Sequence, residues 1–208
     1  MYYGEKLNSI SHLIGTVLAL VGFGALLAIS IEHDSVPMTI SFIIFGLTLV
    51  LLYSVSTLYH SLQQHSIKRL FRKLDHVAIY FLISGTYTPY MLVSLAENNG
   101  PLLLSIIWGM AVIGILIDTL NPNRIEALQI SIYLVMGWAC IFEYSSLQRV
   151  IPAAGMFWLT VGGITYTCGI IFYVLDHFNK LPHAHGIWHV FVLSGSISHF
   201  ISIIGYVR

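Results

Sequence analysis

His185 and His189 lie four residues apart, so on a helix both rings project from one face, the spacing used by helical metal-binding pairs. His60 offers a third imidazole from a distant part of the chain. Three neutral imidazoles and a water make the open tetrahedral site of a catalytic zinc, in which the metal lowers the pKa of the water to about 7. Ser56 sits one helical turn before His60 and shares its face, and Asp75 follows after a short polar stretch. An acid within a span usually marks a functional interior, because it is costly against lipid. Each residue also has a plain structural reading. Interfacial histidines are often only solvated, a helical serine often bonds the carbonyl four residues back, and an aspartate suits a helix N-terminus. Glu5 and Asn8 fit the cap of a first helix. Asp118, Glu143 and His199 are candidates for polar contacts inside a bundle, with no chemistry assigned.

The elements that must position these groups are set by composition. Of the 208 residues 57% are hydrophobic and 9% charged, with a mean hydropathy of +0.83. A soluble domain carries about 25% charged residues, so this chain must be solvated by lipid. Its formal net charge is zero, which gives no reason to expect nucleic acid or an acidic partner. Cys140 and Cys168 lie in apolar runs without a CxxC pattern and read as small core filler.

Apolar runs predict seven helices, at 9–31, 38–62, 75–95, 101–120, 127–147, 153–176 and 186–206. Each is long enough to cross roughly 30 Å of hydrocarbon at 1.5 Å per residue. Polar breaks separate them, among them Gln63 to Leu74 and Asn121 to Glu126. Pro37, Pro101 and Pro152 fall at or near first turns, whereas Pro89 lies inside the third span and should kink it. No stretch reads as a linker or a disordered tail, so residues 1–208 are expected to form a single domain. The first span is too long for the core of a cleaved signal peptide and is expected to remain in the mature protein.

With seven spans, Lys6, Lys68, Arg69, Arg72, Lys73, Arg124 and Lys180 fall on the side of the N-terminus, and only Arg149 and Arg208 on the other. The positive-inside rule then predicts a cytoplasmic N-terminus and an outside C-terminus. That topology gathers six of the ten histidines (12, 60, 76, 183, 185 and 189) at the cytoplasmic face, together with Asn8, Ser56 and Asp75. Gly162 and Gly163 on the sixth span could permit close helix contact.

Taken together, Glu5-x2-Asn8-x3-His12, Ser56-x3-His60 followed by Asp75, and His185-x3-His189 resemble the hemolysin III family. That family belongs with the progestin and adipoQ receptors. The resemblance runs the length of the chain, with all three blocks in order. It implies an all-α, seven-helix membrane protein whose zinc ligands are His60, His185 and His189. It also implies that Asp75 and Ser56 orient water or ligands, or act in catalysis. His183 is an extra histidine that the pattern does not require. With no sizeable soluble N-terminal domain, the chain is similar to a bacterial member rather than to a hormone receptor.

The function expected from the resemblance is a zinc-dependent hydrolase acting on lipid amides or esters at the membrane, as in the alkaline ceramidases. Asp75 would then take and return the proton. One competing reading is a non-catalytic regulator of membrane lipid composition and fluidity in which zinc is structural. Another is the cytolytic pore that the family name suggests. A pore wants polar residues along a whole path, whereas here polarity concentrates at one face. The expected partners are membrane lipids, and the expected location is the cell membrane.

Overall fold

The computed structural model describes residues 4–121 and 125–208; Arg124, counted above among the basic residues, lies outside them. Among the described residues, seven helices are long and apolar enough to cross a membrane: α1 (Lys6–Glu32), α2 (Val36–Ser61), α3 (His65–Ser94), α4 (Gly100–Leu120), α5 (Glu126–Val150), α6 (Ala153–His177) and α7 (Ala184–Tyr206). Their outer faces are apolar, with Val21, Leu120 and Phe142 largely exposed, as a lipid-solvated bundle requires. Leu26, Phe42, Phe45, Ile107, Met136 and Ile203 fill the interior. The multi-pass reading of the composition holds.

Local chemistry explains several boundaries. Ser35 accepts a hydrogen bond from the Met38 N–H, and Pro37 occupies the first turn of α2, where its missing N–H is not needed. Asn179 and His183 take left-handed backbone conformations in the short turn before α7. The third helix departs from the expectation. It starts at His65 rather than 75, so most of the stretch read as a polar break is helical. Lys68, Arg69, Arg72 and Lys73 make these turns too polar for a hydropathy reading to include them. A helix, however, has no reason to stop where the hydrocarbon does. Asp75 and His76 therefore sit three turns inside α3, and the reading of Asp75 as a charge at a helix start falls.

Pro89 lies inside α3 as expected, and the helix changes to a π turn over Tyr90–Ser94 immediately after it. A second irregularity was not foreseen. α5 is α-helical over Glu126–Trp138, tightens to a 3-10 turn over Ala139–Glu143 and resumes as α-helix to Val150. The Tyr87 hydroxyl from α3 inserts there. It accepts from the Cys140 N–H at 2.8 Å and donates to the Met136 carbonyl at 2.8 Å. An inserted side chain is a recognised cause of a helix break. Asp118 on α4 accepts from the Tyr80 hydroxyl of α3 at 3.0 Å and from the Gln129 amide of α5, binding these three helices together.

Consecutive helices pack as neighbours from α1 to α4, α6 pairs with α7, and α7 lies against α1. α5 leans on α3 and α4 and meets α6 at few points. That looseness leaves an apolar cleft among α3, α5, α6 and α7.

Candidate metal centre

The cluster is assembled where α7 approaches α1. Gly186 makes the approach close, since a Cβ there would meet Leu7 and lie 3.1 Å from the Asn8 side-chain oxygen. One turn later His189 is fully buried, its Nδ1 3.3 Å from the Asn8 carbonyl. α2 brings His60 alongside, and the ring centroids of His60 lie 4.8 Å from His189 and 5.1 Å from His185. One nitrogen from each of His60, His185 and His189 can be chosen so that all three lie within 4.8 Å of one another. These are the three ligands expected from the sequence.

The hydrogen bonds identify which nitrogens face inward. His60 Nδ1 is 2.7 Å from Glu5 Oε2, and His185 Nδ1 is 3.0 Å from Asp176 Oδ2. His189 Nδ1 faces the Asn8 carbonyl. Each of these partners accepts only, so each Nδ1 carries the proton and the Nε2 lone pair is left over. All three Nε2 atoms are buried and without a hydrogen bond. A buried polar atom without a partner costs about 1–3 kcal/mol, so three in one cluster make a substantial local deficit. One cation among them would remove it. A zinc-sized ion holds imidazole nitrogens at about 2.0–2.1 Å, or roughly 3.4 Å from each other in a tetrahedron, which lies inside the observed limit. The donor set fits a metal of the borderline type that imidazole prefers.

The supporting groups correct one expectation and add a residue. Glu5 stands at the cap position of α1 but caps nothing with its side chain. It accepts instead from His60, from the Asn8 amide at 2.7 Å and from Lys68 at 3.2 Å. Partial burial pushes its carboxyl up, but the hydrogen bonds from His60, Asn8 and Lys68 outweigh it. Glu5 is therefore held well below the usual carboxylate range. Asp176 was not singled out from the sequence. Its signal was there, however, as the acid that ends α6 nine residues before a ligand histidine.

Ser56 is buried on the His60 face of α2, and its hydroxyl has no hydrogen-bond partner, so the plain reading of a bond to the carbonyl four residues back is not the one seen. Asp75 is buried and lines two cavities at once. One is a polar vestibule that also takes in Glu5, His60, Arg72, His183 and His185. The other is the apolar cleft, and Asp75, His76, Tyr173 and Trp188 border both. His12 stands beside the cluster, its ring stacked on His189 with centroids 3.7 Å apart.

The polar vestibule adjoins the mainly apolar cleft.

Comparison with known proteins gives a consistent result. The family model described as Haemolysin-III related matches residues 2–200. A Hemolysin-3 homolog of Bacillus subtilis (strain 168) is 39% identical over 97% of this chain and 93% of its own length. Hemolysin-3 of Bacillus cereus is 37% identical over 98% of this chain and 91% of its own. The human monocyte to macrophage differentiation factor is 30% identical, covering 98% of this chain and 84% of its own length. No solved structure shows a significant match.

Proposed function

This chain belongs to the Haemolysin-III related family, and from that premise and its histidine cluster we propose that it is a zinc-dependent hydrolase of lipid amides or esters. The observation that carries the reading is the trio of buried Nε2 atoms of His60, His185 and His189, each with Nδ1 already engaged. These three would hold the ion. When bound, zinc supplies a Lewis acid and lowers the pKa of water at its remaining position.

The chain's own residues supply the rest. Glu5, Asp176 and the Asn8 carbonyl fix the tautomers and ring orientations. The carboxylate of Asp75, on the border between vestibule and cleft, takes a proton from water and returns it to the leaving group. The unpartnered Ser56 hydroxyl, one turn from His60, serves as an orienting donor. The cleft lined by Ile79, Leu82, Ile83 and Ile170 seats the hydrocarbon and excludes bulk water.

The test is zinc analysis of the purified protein together with an assay on a panel of lipid amides and esters. Zinc at one ion per chain with turnover of at least one lipid class is the expected result. An intact three-histidine zinc site with no turnover on any lipid would favour the second reading, a regulator of membrane lipid composition. One observation supports that alternative: the cluster and its partners tie α1, α2, α6 and α7 together at one end.

Two further outcomes follow. Glu5→Gln keeps the shape but weakens the acceptor for His60, and should lower zinc affinity about 10–100-fold, the usual worth of a ligand-orienting partner. Competition against a chelator of known affinity measures this, and unchanged affinity would remove Glu5 from the site. The basic residues support a cytoplasmic N-terminus, and with it a cluster on the cytoplasmic side. A reporter that works only in the cytoplasm should be silent when fused after Arg208, and an active fusion would reverse the orientation.

A further inference from the structure

Halfway along the apolar cleft lies a polar group that the proposed chemistry does not use. His199 is buried on α7 and lines both the cleft that starts at Asp75 and a second cavity continuing it toward Tyr90 and Leu147. Its Nε2 is 3.2 Å from the Leu159 carbonyl of α6. A carbonyl only accepts, so Nε2 carries the hydrogen, and a neutral ring bonded in this way keeps a lone pair on Nδ1. Nδ1 is buried and has no partner. The ring is seated by Gly162, where a Cβ would collide with its Cδ2, Nε2 and Cγ. The edge turned away from α6 is therefore the one that carries Nδ1.

The neighbouring donors cannot supply the missing bond. Thr86, Thr160 and Thr167 each donate to a backbone carbonyl of their own helix. Tyr87 donates at the break in α5. Tyr53 donates to Ser196, which also meets the Tyr166 hydroxyl at 2.6 Å. The Tyr90 hydroxyl of the second cavity is likewise buried without a hydrogen bond. Within a membrane span an open acceptor of this kind usually marks a functional position.

We infer that His199 is a second recognition point of the cleft, accepting a hydrogen bond from a hydroxyl carried partway along the chain of a bound lipid. The inference rests on the reading that the cleft takes a lipid, and it narrows the ligand class to chains hydroxylated at a set distance from the reacting group. That distance follows from α7. Ten residues separate His189 from His199, about 15 Å of helix rise. An all-trans chain of ~1.5 Å bonds advances roughly 1.3 Å per carbon, so the hydroxyl falls about a dozen carbons from the group held at the histidines. Gly162 and His199 together thus act as a gauge on the chain.

The experiment uses the zinc-loaded full chain in lipid nanodiscs, with stearate, 6-hydroxystearate and 12-hydroxystearate competing against a bound fluorescent fatty acid. 12-Hydroxystearate should bind about tenfold more tightly than stearate, as expected when a buried acceptor gains its partner. 6-Hydroxystearate should bind no better than stearate. His199→Phe should abolish the preference, so that 12-hydroxystearate binds no more tightly than stearate in that variant, and His199→Leu serves if the larger ring does not fit against Gly162. The position series in the unaltered protein stands whether or not either variant folds. Equal binding of all three acids, or a preference that survives in the variants, overturns the role of His199. Failure of every acid to bind overturns the lipid-cleft reading itself.

Discussion

A His60→Ala, His189→Ala double variant should purify with no stoichiometric zinc and gain no thermal stability when zinc is added. The two rings come from α2 and α7, and with His185 they bring three imidazoles within reach of one ion, each with a buried, unbonded Nε2. Removing two of three protein ligands leaves one imidazole, which cannot hold the ion against buffer. The intact protein, by contrast, should be stabilised by mass action, about 2.7 kcal/mol at a free zinc concentration one hundred times the dissociation constant. For a chain of this size that corresponds to roughly 5–10 °C in melting temperature. The effect should depend on geometry as well as on ligand number. Glu5, Asn8 and Asp176 already fix each ring through Nδ1, so little side-chain freedom is lost on binding. Metal analysis after chelator treatment and reloading, with melting curves at several zinc concentrations, measures both parts. Full zinc occupancy in the double variant would sink the assignment of the site.

Much of this site was legible in the sequence, for a specific reason. His185 and His189 are four apart on one helix, and a seven-span topology puts His60 at the same end of the bundle. Periodicity and hydropathy carry that information. What they did not carry is also specific. Four of the ten helical residues before Asp75 are Lys or Arg, so a reading that equates helix with apolar run ended α3 too soon. The break in α5 is caused by a tyrosine 53 residues away in sequence, and no local pattern encodes it. Asp176 supports His185 across the α6–α7 turn, a contact set by the left-handed residues of that turn rather than by spacing. Of the paired glycines on α6, Gly162 does admit a close neighbour, His199, whereas Gly163 faces open space. Helical spacing alone could not say which.

Replacing Asp75 with Asn separates catalysis from structure. The substitution keeps the size of the side chain and most of its hydrogen bonding while removing its basicity. Asp75 is not one of the three residues whose ligand atoms converge, so zinc content should stay at one ion per chain. Any lipid amide or ester hydrolase activity should fall by a factor on the order of 10²–10⁴, the usual contribution of a positioned acid–base group. The regulator reading expects a different pattern. A carboxylate that only holds ring orientation or helix packing would, when replaced, weaken zinc binding or lower the melting temperature. The position of Asp75 now bears on that choice. It lies three turns inside α3, buried between the vestibule and the cleft, and not at a helix start where a negative charge is favourable on general grounds. Keeping a buried carboxylate at a membrane boundary costs stability, and a proton-transfer role accounts for that cost. Zinc content, melting temperature and turnover measured on the same preparation decide the matter. If Asp75→Asn keeps its zinc, its stability and its effect on lipids, catalysis through Asp75 is wrong and the bundle is a regulator.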